Sequence, residues 1–369
     1  MTYQYELRKI FVHRKGILIV FLFCLLSIAV LSITDVPKDR PQDQAGEEYK
    51  YWIDLLCGPL DTSKEEMIQD TSKEISDANI ALAELRNKYY AGEISFEQYD
   101  NQQQKIEAVL TNESGFNVIY NQYRYISENP ENRYFVATNG WSGLLKQDIS
   151  QTILFIVTLL ILIVPIYCDE YSSEMHKIAL STQSGSYCFG FQKSFIALSI
   201  AVLLALWQIA LKIIFLSFRY GLPNAEFPLQ SLPDFSTCTK ALTLGQATFC
   251  LIVSKVFGSI LFAAVILFNS VCLKSTLLTA FISLSVGIIP FFALRENLFY
   301  RLPLPVSFML GTGFFQGSEI VQNELGQDVY IFKELSLSTV GIVFLLAFLC
   351  MGIFLTIIRY KNSNIWNRK

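Results

Sequence analysis

Six runs of apolar residues, spaced along 369 residues by polar segments, constrain this chain more than any other feature. A helix of about 20 apolar residues crosses the hydrocarbon of a bilayer, and a helix satisfies its own backbone hydrogen bonds there. The runs cover 16–33, 151–168, 194–218, 247–272, 276–294 and 337–358. They predict an all-α polytopic membrane protein with about six transmembrane helices. A signal peptide competes for the first run, but no small-x-small cleavage site follows GILIVFLFCLLSIAVLSI, so the run is read as a retained span.

Charge sets the expected orientation. The net charge of −3 hides basic chain ends and an acidic stretch over 35–148. Cytoplasmic flanks are enriched in Lys and Arg, so both termini are expected in the cytoplasm and 34–150 outside the cell membrane. The basic clusters are short and flank spans, which argues for the lipid bilayer as partner and against nucleic acid. Residues 1–15 carry Leu7, Ile10 and Phe11 on one helical face and Arg8, Lys9, Arg14 and Lys15 around the other, the pattern of an interfacial helix. Eight cysteines lack C-x-x-C spacing. Cys57 and Cys238 both fall outside the spans, and the sequence leaves open whether they are bridged.

The polar block 34–150 contains a helix-start signal at Thr62-Ser63 with Glu65-Glu66, a break at Ala91-Gly92-Glu93 and a restart at Ser95 with Gln98. Two antiparallel helices with a turn near Gly92 are therefore expected, as a large extracellular helical-hairpin insertion. Tyr51, Trp52 and Trp141 lie near its roots, where amphipathic rings favour a membrane interface.

Between the second and third runs lies 169–193, DEYSSEMHKIALSTQSGSYCFGFQK, which opens on two carboxylates and closes on a lysine. Met175, Ile178 and Ala179 fall at helical spacing, so a short amphipathic helix is expected. The segment resembles the intracellular segment between the second and third spans of ABC-2 type transporter permeases, whose loose pattern is E-x-x-x-G-T, then leucines, then a Ser/Thr-x-Pro turn. Glu170 stands at the acidic position, Leu180 on the apolar ridge and Ser181-Thr182 at the turn, while Glu174-Met175 replaces Gly-Thr and Gln183 replaces Pro. ELRKIF near the N-terminus is similar to the elbow helix of the same family. Residues 295–336 contain LPLPVSFMLGTGFF, too apolar for an open loop and too short to cross, and read as a re-entrant or interfacial hairpin, which that family also carries before its last span.

The resemblance implies the permease subunit of an ATP-driven exporter. It implies Glu170, Glu174, Leu180, Ser181 and Thr182 as the surface coupled to ABC ATPase subunits. It also implies a second permease subunit, the same chain or a relative. The sequence holds no G-x-x-x-x-G-K-[ST], so ATP and Mg are expected on the partner and no cofactor or metal on this chain. Its histidines are His13 and His176, and H-E-x-x-H is absent, which disfavours an enzyme. A receptor or sensor with an extracellular helical ligand-binding domain remains the alternative. Lys212 and Lys255 lie inside spans, where an ammonium either snorkels or faces an internal cavity, and they are candidates for a substrate pathway. The remaining segments are expected as follows: 219–246 an extracellular loop, 273–275 a tight inner turn, and 359–369 a cytoplasmic tail.

Overall fold

A computed structural model describes residues 6–34, 41–111, 113–146, 148–174, 185–293 and 304–310, together with 318–322, 328–332, Leu349 and 352–353. After a π-helix at Lys9–His13, α1 runs over Gly16–Thr34. Then come α2 (Pro41–Leu56), α3 (Thr62–Tyr90), α4 (Phe96–Leu110), α5 (Glu113–Ser127) and α6 (Thr138–Leu145). The bundle continues with α7 (Ile149–Ile163), α8 (Pro165–Ser172), α9 (Gly185–Tyr220), α10 (Leu244–Leu273) and α11 (Thr276–Ala293). Helix α12 (Pro305–Leu310) and the antiparallel strands β1 (Ser318–Gln322) and β2 (Asp328–Phe332) complete the described elements.

Among the described residues four helices are long and apolar enough to cross a membrane: Gly16–Thr34, Ile149–Ser172, Gly190–Tyr220 and Leu244–Leu273. Helix α11 is apolar and shorter, and runs through Gly287 and Pro290. The sixth run, 337–358, lies outside the described residues apart from Leu349, Gly352 and Ile353. The bundle core is built from Phe155, Leu159, Ile163, Tyr167, Ile196, Ile200, Phe262 and Ile266, all buried. Apolar side chains such as Phe21, Leu25, Leu203 and Phe281 face outward, as lipid contact requires.

The block 41–146 has its own core, in which Tyr49, Ile53 and Leu56 of α2 meet Phe116, Ile119 and Ile126 of α5. Gly115 permits this approach, because a Cβ there would stand 2.6–2.7 Å from the backbone and side chain at Glu48–Tyr49. The expected hairpin is α3 and α4, turned at Gly92, whose φ of 75° favours glycine. Ser95 and Gln98 form a reciprocal capping box at the start of α4. At α3 the cap is Asp61, one residue before the expected start signal, and its carboxylate accepts from the Lys64 amide at 2.8 Å.

That amide and the Ser63 hydroxyl hold the Asp61 carboxyl below its ordinary value of 3.8. A group with a depressed folded pKa stabilises above its unfolded pKa and loses that contribution as pH falls through the folded one. The first turn of α3 is therefore expected to open as pH drops below about 3.8. Hydrogen exchange at Lys64, corrected for intrinsic rate, should show this opening, and Asp61→Asn should remove its acid dependence.

Two sequence expectations change. Trp141 is not an interfacial ring: it is 4% exposed, and its indole N–H donates to the Pro223 carbonyl at 2.8 Å. The loop 221–243 is folded back on the protein, with Leu229, Leu232 and Phe235 buried beside Trp141, Leu144 and Leu145 in a second core. Within 295–336 the described residues form a six-residue helix and a strand pair, so the chain is not wholly α there. Helix α12 is buried against α10 at Gly258, midway along that span, with Ser254 Oγ donating to the Phe308 carbonyl at 2.8 Å.

Candidate functional site

Two clusters of polar side chains sit within the apolar bundle, one at each end. The first begins with the break at Val164–Pro165, where proline opens the short helix α8 and continues the second span to Ser172. Asp169 and Glu170 therefore belong to the last turns of a span helix. The third span likewise begins before Lys193, because α9 starts at Gly185. The connection between the two is thus shorter than the polar segment in the sequence.

Glu170 is buried and pairs with Lys193, itself 1% exposed, and with Lys9 of the π-helix at 3.5 Å. Arg14 Nη2 lies 2.7 Å from Asp169 Oδ2. The Tyr167 hydroxyl donates to the Gly190 carbonyl at 2.9 Å and lies 3.2 Å from Ser194 Oγ, while the Lys193 ammonium stands 5.6 Å from the centre of the Tyr167 ring. Glu6 is buried as well, and Leu7, Ile10 and Phe11 pack on the bundle core. Burying so many charges is tolerated only when they are paired. The result is a clamp that fixes the N-terminal segment to the ends of the second and third spans.

Of the other coupling candidates, Glu174 is exposed with φ of 58° just past the end of α8, and Leu180, Ser181 and Thr182 lie outside the described residues. The amphipathic helix expected around Met175, Ile178 and Ala179 lies outside them too. Lys193 was not among the sequence candidates. Its signal was the complementarity of one segment, which opens on Asp169-Glu170 and closes on a lysine.

The second cluster lies at the end that carries α6. Here Lys212 and Lys255, from adjacent spans, line one cavity of about 30 Å³ together with Asp148, Gln151 and Gln208. Lys212 pairs with Asp148 Oδ2 at 2.9 Å and donates to the Lys146 carbonyl at 3.2 Å. Lys255 projects from α10 about three turns from its start, and its ammonium stands 5.9 Å from the centre of the Phe155 ring. Gln151 and Gln208 are each 3% exposed. Gln151 Nε2 donates to the Ser27 carbonyl at 2.8 Å, and Gln208 Nε2 donates to the Gln151 carbonyl and Oε1 at 2.9 and 3.0 Å. These bonds stitch α1, α7 and α9 together below the cavity.

Among the described residues no three His, Cys, Asp or Glu side chains gather into a group that could hold a metal. Cys57 and Cys238 are not bridged to each other and have separate partners: Asn224 Nδ2 donates to Cys57 Sγ at 2.8 Å, and Cys238 Sγ donates to the Lys240 carbonyl at 3.7 Å. Burial pushes the Cys57 thiol above its ordinary range. No protein-family model matches the sequence, and no curated protein matches it.

Proposed function

We propose that the chain is the membrane-spanning permease subunit of an ATP-driven ABC transporter, of the exporter kind, driven through its cytoplasmic face by a separate ATPase. The observation that carries this reading is the clamp of Lys9, Glu170 and Lys193 with Arg14 and Asp169. A chain without a phosphate loop is moved by ATP only through contact with another subunit. The helices on either side of the connection, α8 and α9, are joined to each other by buried charge, so a push on their cytoplasmic ends is delivered to two spans. In this reading the clamp end and both termini are cytoplasmic, which fits the basic residues gathered there, and the block 41–146 is extracellular. Two such subunits flank the pathway, with Lys212 and Lys255 on the substrate side.

The test is recovery of an ATPase with the full chain from its native membrane, stabilised with ATP and vanadate. Glu174→Arg, at an exposed position, is expected to leave unfolding unchanged and to reduce ATPase recovery about tenfold or more, since a charge reversal at an interface costs several kcal/mol. Absence of any ATPase, or full recovery with residues 172–183 deleted, would overturn the proposal. The exposed Tyr90 and Phe96 at the tip of the helical hairpin favour one other reading, a receptor that presents this tip to a protein partner. Such a protein would be recovered with a tip-dependent partner and no ATPase.

A further inference from the structure

We infer that the cavity lined by Lys212, Lys255 and Gln208 is a binding site for a small oxyanion that carries its own hydroxyl, with hydrogen carbonate as the type. The inference stands apart from the transport reading, because binding to this chain needs neither an ATPase nor a second subunit.

Charge gives the first half of the ligand. Lys212 is offset by Asp148 at 2.9 Å, and the side chain of Lys146 is exposed to solvent. That leaves the ammonium of Lys255, which among the described residues forms no ion pair or hydrogen bond of its own, lies over the face of Phe155 and shares the more distant Asp148 carboxylate with Lys212. A cation within a span is stabilised by an anion delivered into the cavity. One positive charge in excess matches one negative charge.

Hydrogen bonding gives the second half. Gln208 has committed its amide N–H groups to Gln151, and its Oε1 is buried with no partner among the described residues. A buried carbonyl left unmet is destabilising, and it calls for a donor. Chloride or nitrate would balance Lys255 and face the Gln208 oxygen with a second acceptor. Water would satisfy Gln208 and leave the charge uncompensated. An anion with an O–H meets both, its anionic oxygen on Lys255 and its hydroxyl on Gln208.

Size and walls narrow the class. The cavity is small, about 30 Å³, so the ligand has few heavy atoms. Leu31, Leu251 and Met309 line the remainder of the cavity and keep the charge pairing in a medium of low polarity.

The full chain, purified in detergent, is titrated with potassium hydrogen carbonate at fixed pH and ionic strength, with potassium nitrate and chloride as controls. Nitrate has the same planar shape and lacks the donor. Hydrogen carbonate is expected to raise the unfolding midpoint saturably by about 2–4 °C, with nitrate and chloride giving less than a quarter of that shift. Lys255→Met is expected to abolish the rise. An equal response to all three salts, or an undiminished response in Lys255→Met, would overturn the site. Should that variant not fold, the wild-type chain decides the matter. Carbon-13-labelled hydrogen carbonate should broaden in its presence and sharpen again with excess unlabelled ligand, and an unbroadened line would overturn the inference.

Discussion

Glu170→Ala is expected to destabilise the detergent-solubilised chain by about 3–5 kcal/mol, because it removes the carboxylate paired with a buried ammonium. The affected group is Lys193, whose side chain is 1% exposed and which pairs with Glu170. Lys193→Met removes the buried partner of Glu170 and keeps its pair with the partly exposed Lys9 at 3.5 Å, and is expected to cost a similar amount. The double variant Glu170→Met with Lys193→Met removes both charges and fills the space with thioethers. It is expected to recover most of the loss, since a buried ion pair replaced by apolar side chains of like volume is often neutral. Denaturant unfolding of the four proteins gives the coupling energy. Additive losses, or single losses under about 1 kcal/mol, would mean that the pair is solvated. By contrast Asp169 is 44% exposed in its pair with Arg14, so Asp169→Asn is expected to change stability little.

Gly258 is the position where one added carbon should do the most local damage within the bundle. A Cβ there would stand 2.6 Å from the Pro305 carbonyl oxygen, 2.7 Å from the Met309 nitrogen and 2.8 Å from Phe308 Cβ. Two of these atoms are backbone and cannot rotate away, so α12 has to move. Gly258→Ala is expected to cost about 1–3 kcal/mol, the range for overpacking a core, and Gly258→Leu more. The readout is chemical as well as thermodynamic. Met309→Cys should be shielded from a thiol reagent in the parent and should react at least tenfold faster when combined with Gly258→Leu. Unchanged shielding would mean that α12 is held by more than its seat on α10.

Much of this architecture was legible in the residues. Apolar runs mark the spans because burial in lipid leaves little freedom in composition. The turn at Gly92 and the Ser95–Gln98 box were readable because glycine and capping chemistry act over three or four residues. The pairing of α2 with α5 was not, since it depends on contacts between segments some 65 residues apart, such as Glu48 Oε2 accepting from the Gly115 amide at 3.1 Å. Trp141 was misread for a related reason: a ring at the root of a span looks interfacial until the 221–243 segment folds over it. The lysines within the spans were readable as oddities of charge, and Lys212 and Lys255 do line a single cavity. Lys193 was harder to see. A lysine at the edge of an apolar run looks like an ordinary flank, and only the return of the chain beside Glu170 makes it a buried partner.

The block 41–146 is joined through the chain to the first and second spans, yet its hydrogen bonds run elsewhere. The Tyr125 hydroxyl donates to the Gln230 carbonyl at 2.6 Å, and the Tyr134 amide donates to Ser231 Oγ at 2.9 Å. Trp141 adds its bond to Pro223. All three acceptors lie in the segment between the third and fourth spans. A pull on the tip of the hairpin that leaves these bonds intact is therefore carried in part by the third and fourth spans, as torque.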